Sequence, residues 1–195
     1  MMLIFLLILG YCLGSLSSAI IVCKLFGLPD PRTTGSKNPG ATNVLRMAGK
    51  GKAAMVLLGD MLKGLLPVLL ARLLHVPDFW VGIIGLSAVL GHVFPLFYGF
   101  KGGKGVATAF GVYWGISTVL GIISFALWGI VFKLRHYSSL SSLVTVCVVP
   151  FLAFFFLSKG YGIALFFITI LVVWKHKTNI QRLLKGEEPT FRSKV

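Results

Sequence analysis

At 195 residues, 56% of them apolar, and with a mean hydropathy of +0.91, the chain belongs with membrane proteins rather than soluble domains. Nineteen Lys and Arg face five carboxylates (Asp30, Asp60, Asp78, Glu187 and Glu188), a net charge of +14. Because the cations cluster between apolar runs, they read as topogenic charge rather than a nucleic-acid surface, and so few acids exclude a metal site or a magnesium-dependent phosphotransferase.

Apolar runs fall at about 2–23, 53–74, 79–99, 106–132, 140–157 and 160–174. The first has no basic n-region and continues past Ser17-Ser18-Ala19 to Lys24, so it reads as a retained span rather than a signal peptide. Cys12 and Cys23 within it, and Cys147 later, lack C-x-x-C spacing and are expected as buried, reduced thiols.

The run 106–132 is too long for one crossing of about 20 residues and short for two. Charge arbitrates. With a single crossing, Lys133, Arg135 and the basic tail would face outside, against the positive-inside rule. A fold-back near Gly115-Ile116-Ser117-Thr118 instead puts sixteen of the nineteen cations on one side. The expected fold is therefore an all-α integral membrane protein of seven transmembrane helices, amino terminus outside and carboxyl terminus cytoplasmic. Two of the helices are short, at roughly 13–15 residues or about 20–22 Å; they must stand upright, lean on neighbours or thin the bilayer. Residues 1–195 form one domain without an internal repeat, and all polar segments of interest share one membrane face.

The first such segment, "TTGSKNPGATNVLRMAGKGKAA" (33–54), places a turn at Asn38-Pro39-Gly40 before a short helix that Thr42 or Asn43 can cap. That helix start, with Ser36 and Arg46 nearby, is a plausible phosphate cradle; an ordinary solvated loop is the plain alternative. In the second apolar run, "GDMLKG" sets Asp60 and Lys63 three apart, and a charge-neutralising ion pair is expected within the span.

The next segment, "GHVFPLFYGFKGGKGVATA" (91–109), nearly spells a nucleotide loop, but Tyr98 stands where its first glycine belongs and Gly105 where the magnesium-binding hydroxyl belongs. As an anion loop it stays open: Gly102, Gly103 and Gly105 permit close backbone approach, Lys101 and Lys104 bring charge, and Thr108 brings a hydroxyl. His92 is a candidate base, weighed against an ordinary hydrogen-bonded helix histidine. In "KLRHYSSLSSL" (133–143), Ser138 and Ser139 are natural N-caps whose hydroxyls can also donate to a phosphate; nothing local completes a nucleophilic triad. In "WKHKTNIQRLLKGEEP" (174–189), His176 and Asn179 share one face of an interfacial anchor helix and can point into a site at the end of the last span.

Together, "GSKNPGATNVLR", "GHVFPLFYGFKGGKGVATA", "YSSLSSL" and "WKHKTNIQRLLKGEE", in this order, resemble the bacterial membrane acyltransferases that move a fatty acyl group from acyl phosphate to glycerol 3-phosphate. The resemblance covers essentially the whole chain. It implies that Ser36, Arg46, Lys104, His176 and Asn179 line the glycerol-phosphate site, and that Asn38, Thr42, Gly102, Gly103 and Ser139 shape it and the neighbouring acyl-phosphate site. Which serine of the Ser138–Ser142 group acts stays open. Lysophosphatidic acid is the implied product, on the cytoplasmic face of the bacterial inner membrane. No metal, cofactor, coenzyme A or acyl carrier protein is required, and the partners are the two substrates and membrane lipid.

Such chemistry suits a chain poor in acids. An acyl phosphate is already activated, and two phosphate dianions call for cations and N–H donors. His followed five positions later by Asp, the soluble-type acyltransferase signature, is absent. The proton then goes to His176 or to a substrate phosphate. A transporter or exchanger of a phosphorylated metabolite is the rival reading, since basic loops and broken spans would serve it too.

Overall fold

The structure is a computed structural model that describes residues 1–190; Arg192 and Lys194 of the basic tail lie outside the described residues. All regular structure among those residues is helical. Helix α1 (Met2–Gly14) meets α2 (Ser18–Leu25) at a 40° bend, where the Ser17 side chain caps α2 by accepting from the Ile20 N–H at 3.4 Å. A short amphipathic helix α3 (Ala41–Ala48) leads into α4 (Lys50–Leu73), the longest at 24 residues. After α5 (Asp78–Val93), Pro95 opens a single 3-10 turn, Leu96–Tyr98. The chain continues through α6 (Val106–Ile116), α7 (Thr118–Arg135), α8 (Ser138–Phe156) and α9 (Lys159–Lys175), then bends by 62° into α10 (Lys177–Leu184).

Four stretches, Lys50–Leu73, Asp78–Tyr98, Thr118–Arg135 and Ser138–Phe156, are long and apolar enough to cross a membrane, and six if each bent pair counts as one. The chain is thus a multi-pass membrane protein. The run 106–132 breaks where charge had placed a break: Ser117 is extended, and its side chain caps α7 by accepting from Leu120 N–H. The lengths differ from expectation. Instead of two helices of 13–15 residues, α6 has 11 and α7 has 18. Lys133 and Arg135 are good helix formers and carry α7 beyond the apolar run, until His136 turns left-handed at φ 58°.

Small residues let backbones touch. A Cβ on Gly111 would lie 1.9 Å from Met61 O, and one on Gly64 2.2 Å from Thr108 O, so α4 and α6 lie side by side without intervening side chains. Helix α1 packs along α5, and α5 and α8 along α9. Tyr113, Ile84, Val68, Val112, Leu165 and Ile168 fill the centre. The ion pair expected on α4 is present: Lys63 Nζ lies 2.9 Å from Asp60 Oδ1. Lys63 also donates to Leu16 O at 2.7 Å, satisfying a carbonyl freed by the α1–α2 bend. Of the three thiols, Cys23 is buried as expected, but Cys147 sits on the exposed apolar face of α8.

Candidate active site

Three loops and one helix start meet at a common end of the bundle. In the loop before α3, Arg32 pairs with Asp30 at 2.7 Å and donates from Nη1 to Tyr98 O, which ties this loop to the turn after α5. Asn43 does more than the expected cap. Gly40, with no side-chain bond, is the N-cap of α3; Asn43 sits inside the helix, 1% exposed. Its Oδ1 accepts from Ser36 N–H at 2.9 Å, while its Nδ2 donates to Pro31 O at 2.9 Å and Thr34 O at 3.0 Å. A helix-borne amide therefore shapes the loop that displays Ser36. A Cβ on Gly35, whose φ is +64°, would lie 2.3 Å from Asn43 Oδ1. Thr42 Oγ1 is 3.4 Å from Ser138 Oγ, Asn38 stays in the turn leading to α3, and Arg46 is exposed on α3.

The glycine loop docks on the end of α5. Gly103 N–H donates to His92 O at 3.2 Å, and a Cβ on Gly102 would lie 2.0 Å from that same oxygen. The tightness that requires glycine at these two positions thus comes from α5 itself. Lys104 then reaches across to α10, donating from Nζ to Asn179 Oδ1 at 2.5 Å. Lys101 stays exposed. Thr108 is fully buried on α6 against α4, and His92 lies beneath the loop with Nδ1 turned towards Asp60 at 3.6 Å. Neither of these two joins the polar chain around Lys104.

The 62° bend after α9 turns His176 and Asn179 inwards; both are buried. Val172 O accepts from His176 Nδ1 at 2.8 Å, which leaves Nε2 as the acceptor nitrogen. Asn179 Nδ2 donates to Glu188 Oε1 at 2.6 Å, as does Ser139 Oγ at 2.6 Å, and Arg182 Nε donates to Oε2 at 2.7 Å. The expected capping role of the serines is not what the structure has. Tyr137 is the N-cap of α8 and makes no side-chain cap bond. Ser138 faces Thr42 and Ser139 faces Glu188, while Ser141 and Ser142 bond back to Tyr137 O and Ser138 O.

Glu188 was absent from the sequence-based site. Its one visible signal was an acid just after a basic helix, in a chain with four others. Burial pushes its carboxyl up, but hydrogen bonds from Ser139, Asn179 and Arg182 outweigh that and hold it below the ordinary carboxylate range. Burial pushes Lys104 down to about 8, Glu188 supporting its charge against Arg182, Arg46 and Lys175. Burial, then the Lys104 charge, push His176 down to about 4, so its imidazole is neutral near pH 7.

Chemically, the arrangement concentrates groups that can hold an anion. Lys104, Arg182 and Arg46 supply positive charge, Ser139 and Asn179 supply neutral donors, and one internal carboxylate already sits among them. No three His, Cys, Asp or Glu side chains gather in a metal-binding group among the described residues.

A family profile described as glycerol-3-phosphate acyltransferase matches residues 4–186. A glycerol-3-phosphate acyltransferase of Thioalkalivibrio sulfidiphilus is 49% identical over 191 residues, 97% of this chain and 94% of that relative. One from Colwellia psychrerythraea is 49% identical over 189 residues, covering 97% and 96%. The crystal structure of PlsY (YgiH), an integral membrane glycerol 3-phosphate acyltransferase, in its glycerol 3-phosphate form superposes with a TM-score of 0.92 at 38% identity, covering 98% of this chain and 96% of that one. Its lysophosphatidic acid form gives 0.91 at 37% identity.

Proposed function

The chain belongs to the glycerol-3-phosphate acyltransferase family, and from that premise we propose that it transfers a fatty acyl group from acyl phosphate to glycerol 3-phosphate, releasing phosphate and lysophosphatidic acid. The observation that carries the site assignment is the chain of hydrogen bonds from Lys104 through Asn179 and Glu188 to Ser139, which joins three distant segments around a charged receptor.

In this reading Lys104, Arg46 and Ser36 hold the phosphate of glycerol 3-phosphate. Thr42, Asn38, Ser139 and the Gly102–Gly103 turn shape the neighbouring headgroup site. The C1 hydroxyl of glycerol 3-phosphate attacks the acyl carbonyl carbon. A new C–O ester bond forms, and the bond to the phosphate oxygen breaks, its electron pair leaving with phosphate. His176 Nε2 accepts a hydrogen bond from the attacking hydroxyl and orients it. An imidazole pushed to about 4 is a weak base at neutral pH, so the proton passes to a phosphate oxygen of substrate or leaving group. Positive groups around both phosphates stabilise the charge that develops on the carbonyl oxygen and leaving group.

For topology, the break at Ser117 and the distribution of Lys and Arg support seven spans, amino terminus outside, with the site on the cytoplasmic face of the bacterial inner membrane. The donor is tested with purified protein in detergent, given glycerol 3-phosphate and palmitoyl phosphate. Lysophosphatidic acid and phosphate should appear in equal amounts without coenzyme A or acyl carrier protein. Turnover with acyl-coenzyme A alone would overturn the donor assignment, and flux across vesicles without acyl transfer would favour the transporter.

A further inference from the structure

Beneath the glycine loop lies a charged cluster that the acyl-transfer scheme does not use. Asp60 and Lys63 of α4 and His92 of α5 are 2%, 6% and 7% exposed. Lys63 is held at both ends of its reach, by Asp60 Oδ1 at 2.9 Å and Leu16 O at 2.7 Å. Asp60 Oδ1 also faces His92 Nδ1 at 3.6 Å, beyond hydrogen-bond range. Neither facing atom has a hydrogen-bond partner; the contact of Oδ1 with Lys63 Nζ is an ion pair.

The other end of the imidazole points at the loop. A Cβ on Gly103 would lie 2.2 Å from His92 Nε2, with Cε1 and Cδ2 next at 3.0 and 3.2 Å, so the ring meets Gly103 tip-on. The same residue accepts the Gly103 N–H through its main-chain oxygen. His92 thus touches Gly103 from two directions, and Gly103 is covalently next to Lys104.

We propose that Asp60 and His92 are positioning residues for Lys104: the carboxylate, paired with Lys63, backs the imidazole from α4 by charge and packing, and the imidazole sets the height of Gly103. An apolar cluster of the same volume would fill this space at less desolvation cost. It would not place a rigid ring, backed by charge, between α4 and the loop. Without that ring the turn settles towards α5 and draws Lys104 off its line to Asn179. The inference rests on the assignment of Lys104 to the phosphate of glycerol 3-phosphate.

The test is steady-state kinetics with glycerol 3-phosphate and palmitoyl phosphate on the full chain. His92→Ala should raise KM for glycerol 3-phosphate about tenfold while KM for palmitoyl phosphate stays within about twofold. Gly103→Ala should raise the same constant, because its methyl lands on Nε2. In His92→Ala/Gly103→Ala that methyl enters space vacated by the ring, so the two defects should fall well short of multiplying. A purely structural role predicts losses shared by both substrates, and multiplying defects would show that ring and loop do not meet; either result overturns the proposal. Where His92→Ala does not yield folded protein, Asp60→Asn, which keeps the side-chain shape, decides in its place; an unchanged KM for glycerol 3-phosphate overturns the proposal. Lys104→Ala separates the two levels. Wild-type kinetics there would remove the phosphate assignment itself, whereas a crippled Lys104→Ala beside a normal His92→Ala would remove only the positioning role.

Discussion

Lys104 and Asn179, seventy-five positions apart, are joined by a hydrogen bond from Nζ to Oδ1 that fastens the glycine loop to the helix beyond the last long span. The amide holds the ammonium without neutralising it, so the charge stays available to a phosphate. Lys104→Ala removes the charge, and Arg46→Ala a neighbouring one. Each should lower kcat/KM for glycerol 3-phosphate by about a hundredfold, the order expected for a lost hydrogen bond to a charged group. Asn179→Ala leaves the charge but loosens it, with an expected loss nearer tenfold. Elution of all three and thermal unfolding of the two cation variants should match wild type, whereas Asn179→Ala, which abandons two partners, should unfold somewhat lower; near-wild-type rates in either cation variant would sink the phosphate clamp.

The pH profile provides an independent reading of Lys104. In the proposed site the protonated amine binds phosphate, and burial has brought its pKa to about 8. For the free enzyme, kcat/KM should therefore hold below pH 8 and fall as pH rises through it. At saturating glycerol 3-phosphate the bound dianion favours the ammonium, so the limb in kcat should move to higher pH. His176, at about 4, is neutral throughout and adds no limb near neutrality. Glu188→Gln removes a carboxylate that supports the Lys104 charge and should shift the limb in kcat/KM to lower pH. A limb first seen above pH 10 would assign the titration to some other group.

Asn43 offers a test of loop shape without touching charge. Asn43→Ala deletes bonds to Ser36 N, Pro31 O and Thr34 O at once, and Asn43→Asp keeps only the acceptor for Ser36. Each abandoned buried partner costs about 1–3 kcal/mol. Faster hydrogen exchange across residues 31–36 is expected, with a raised KM for glycerol 3-phosphate, more severe in Ala than in Asp. Equal kinetics in both variants and wild type would separate the Ser36 loop from the site.

The close approach of α4 and α6 makes Gly111 a stability probe. Its added Cβ would meet a backbone oxygen at 1.9 Å, and a carbonyl cannot swing aside as a side chain can. Gly111→Ala should cost about 1–3 kcal/mol through forced separation of the helices. Thermal unfolding in detergent should shift downwards, while KM values of the surviving fraction stay near wild type. An unshifted midpoint would show that the two backbones are farther apart than described.

Charge and hydropathy made the scaffold legible. The break near Ser117 followed from counting cations, because a membrane leaves loops few places to go. Local spacing also brought out the Asp60–Lys63 pair and the inward face shared by His176 and Asn179. Side-chain partners were less accessible. Asn43 and Ser139 stand where caps are common, and only tertiary structure reveals that one staples a loop and the other meets Glu188. The glycines were readable as tight places, but not that α5 was what they were tight against. Glu188 had the look of a solvated tail acid because its three partners come from α8 and α10 and meet only after folding.

The order in which the chain is made gives the Ser139–Glu188 contact a further meaning. Helices α4, α5 and α6 are sequence neighbours and can assemble while the rest is still being synthesised, in the usual amino-terminus-first manner. The receptor cannot. Its Lys104 waits for Asn179, and its Ser139 waits for Glu188, forty-nine positions further along the chain. A nascent chain can thus be inserted and largely packed yet lack the proposed site for two phosphates. On the proposed assignment, activity appears only once the segment carrying Asn179 and Glu188 has been made, so a product truncated before it is silent rather than a leaky acyltransferase.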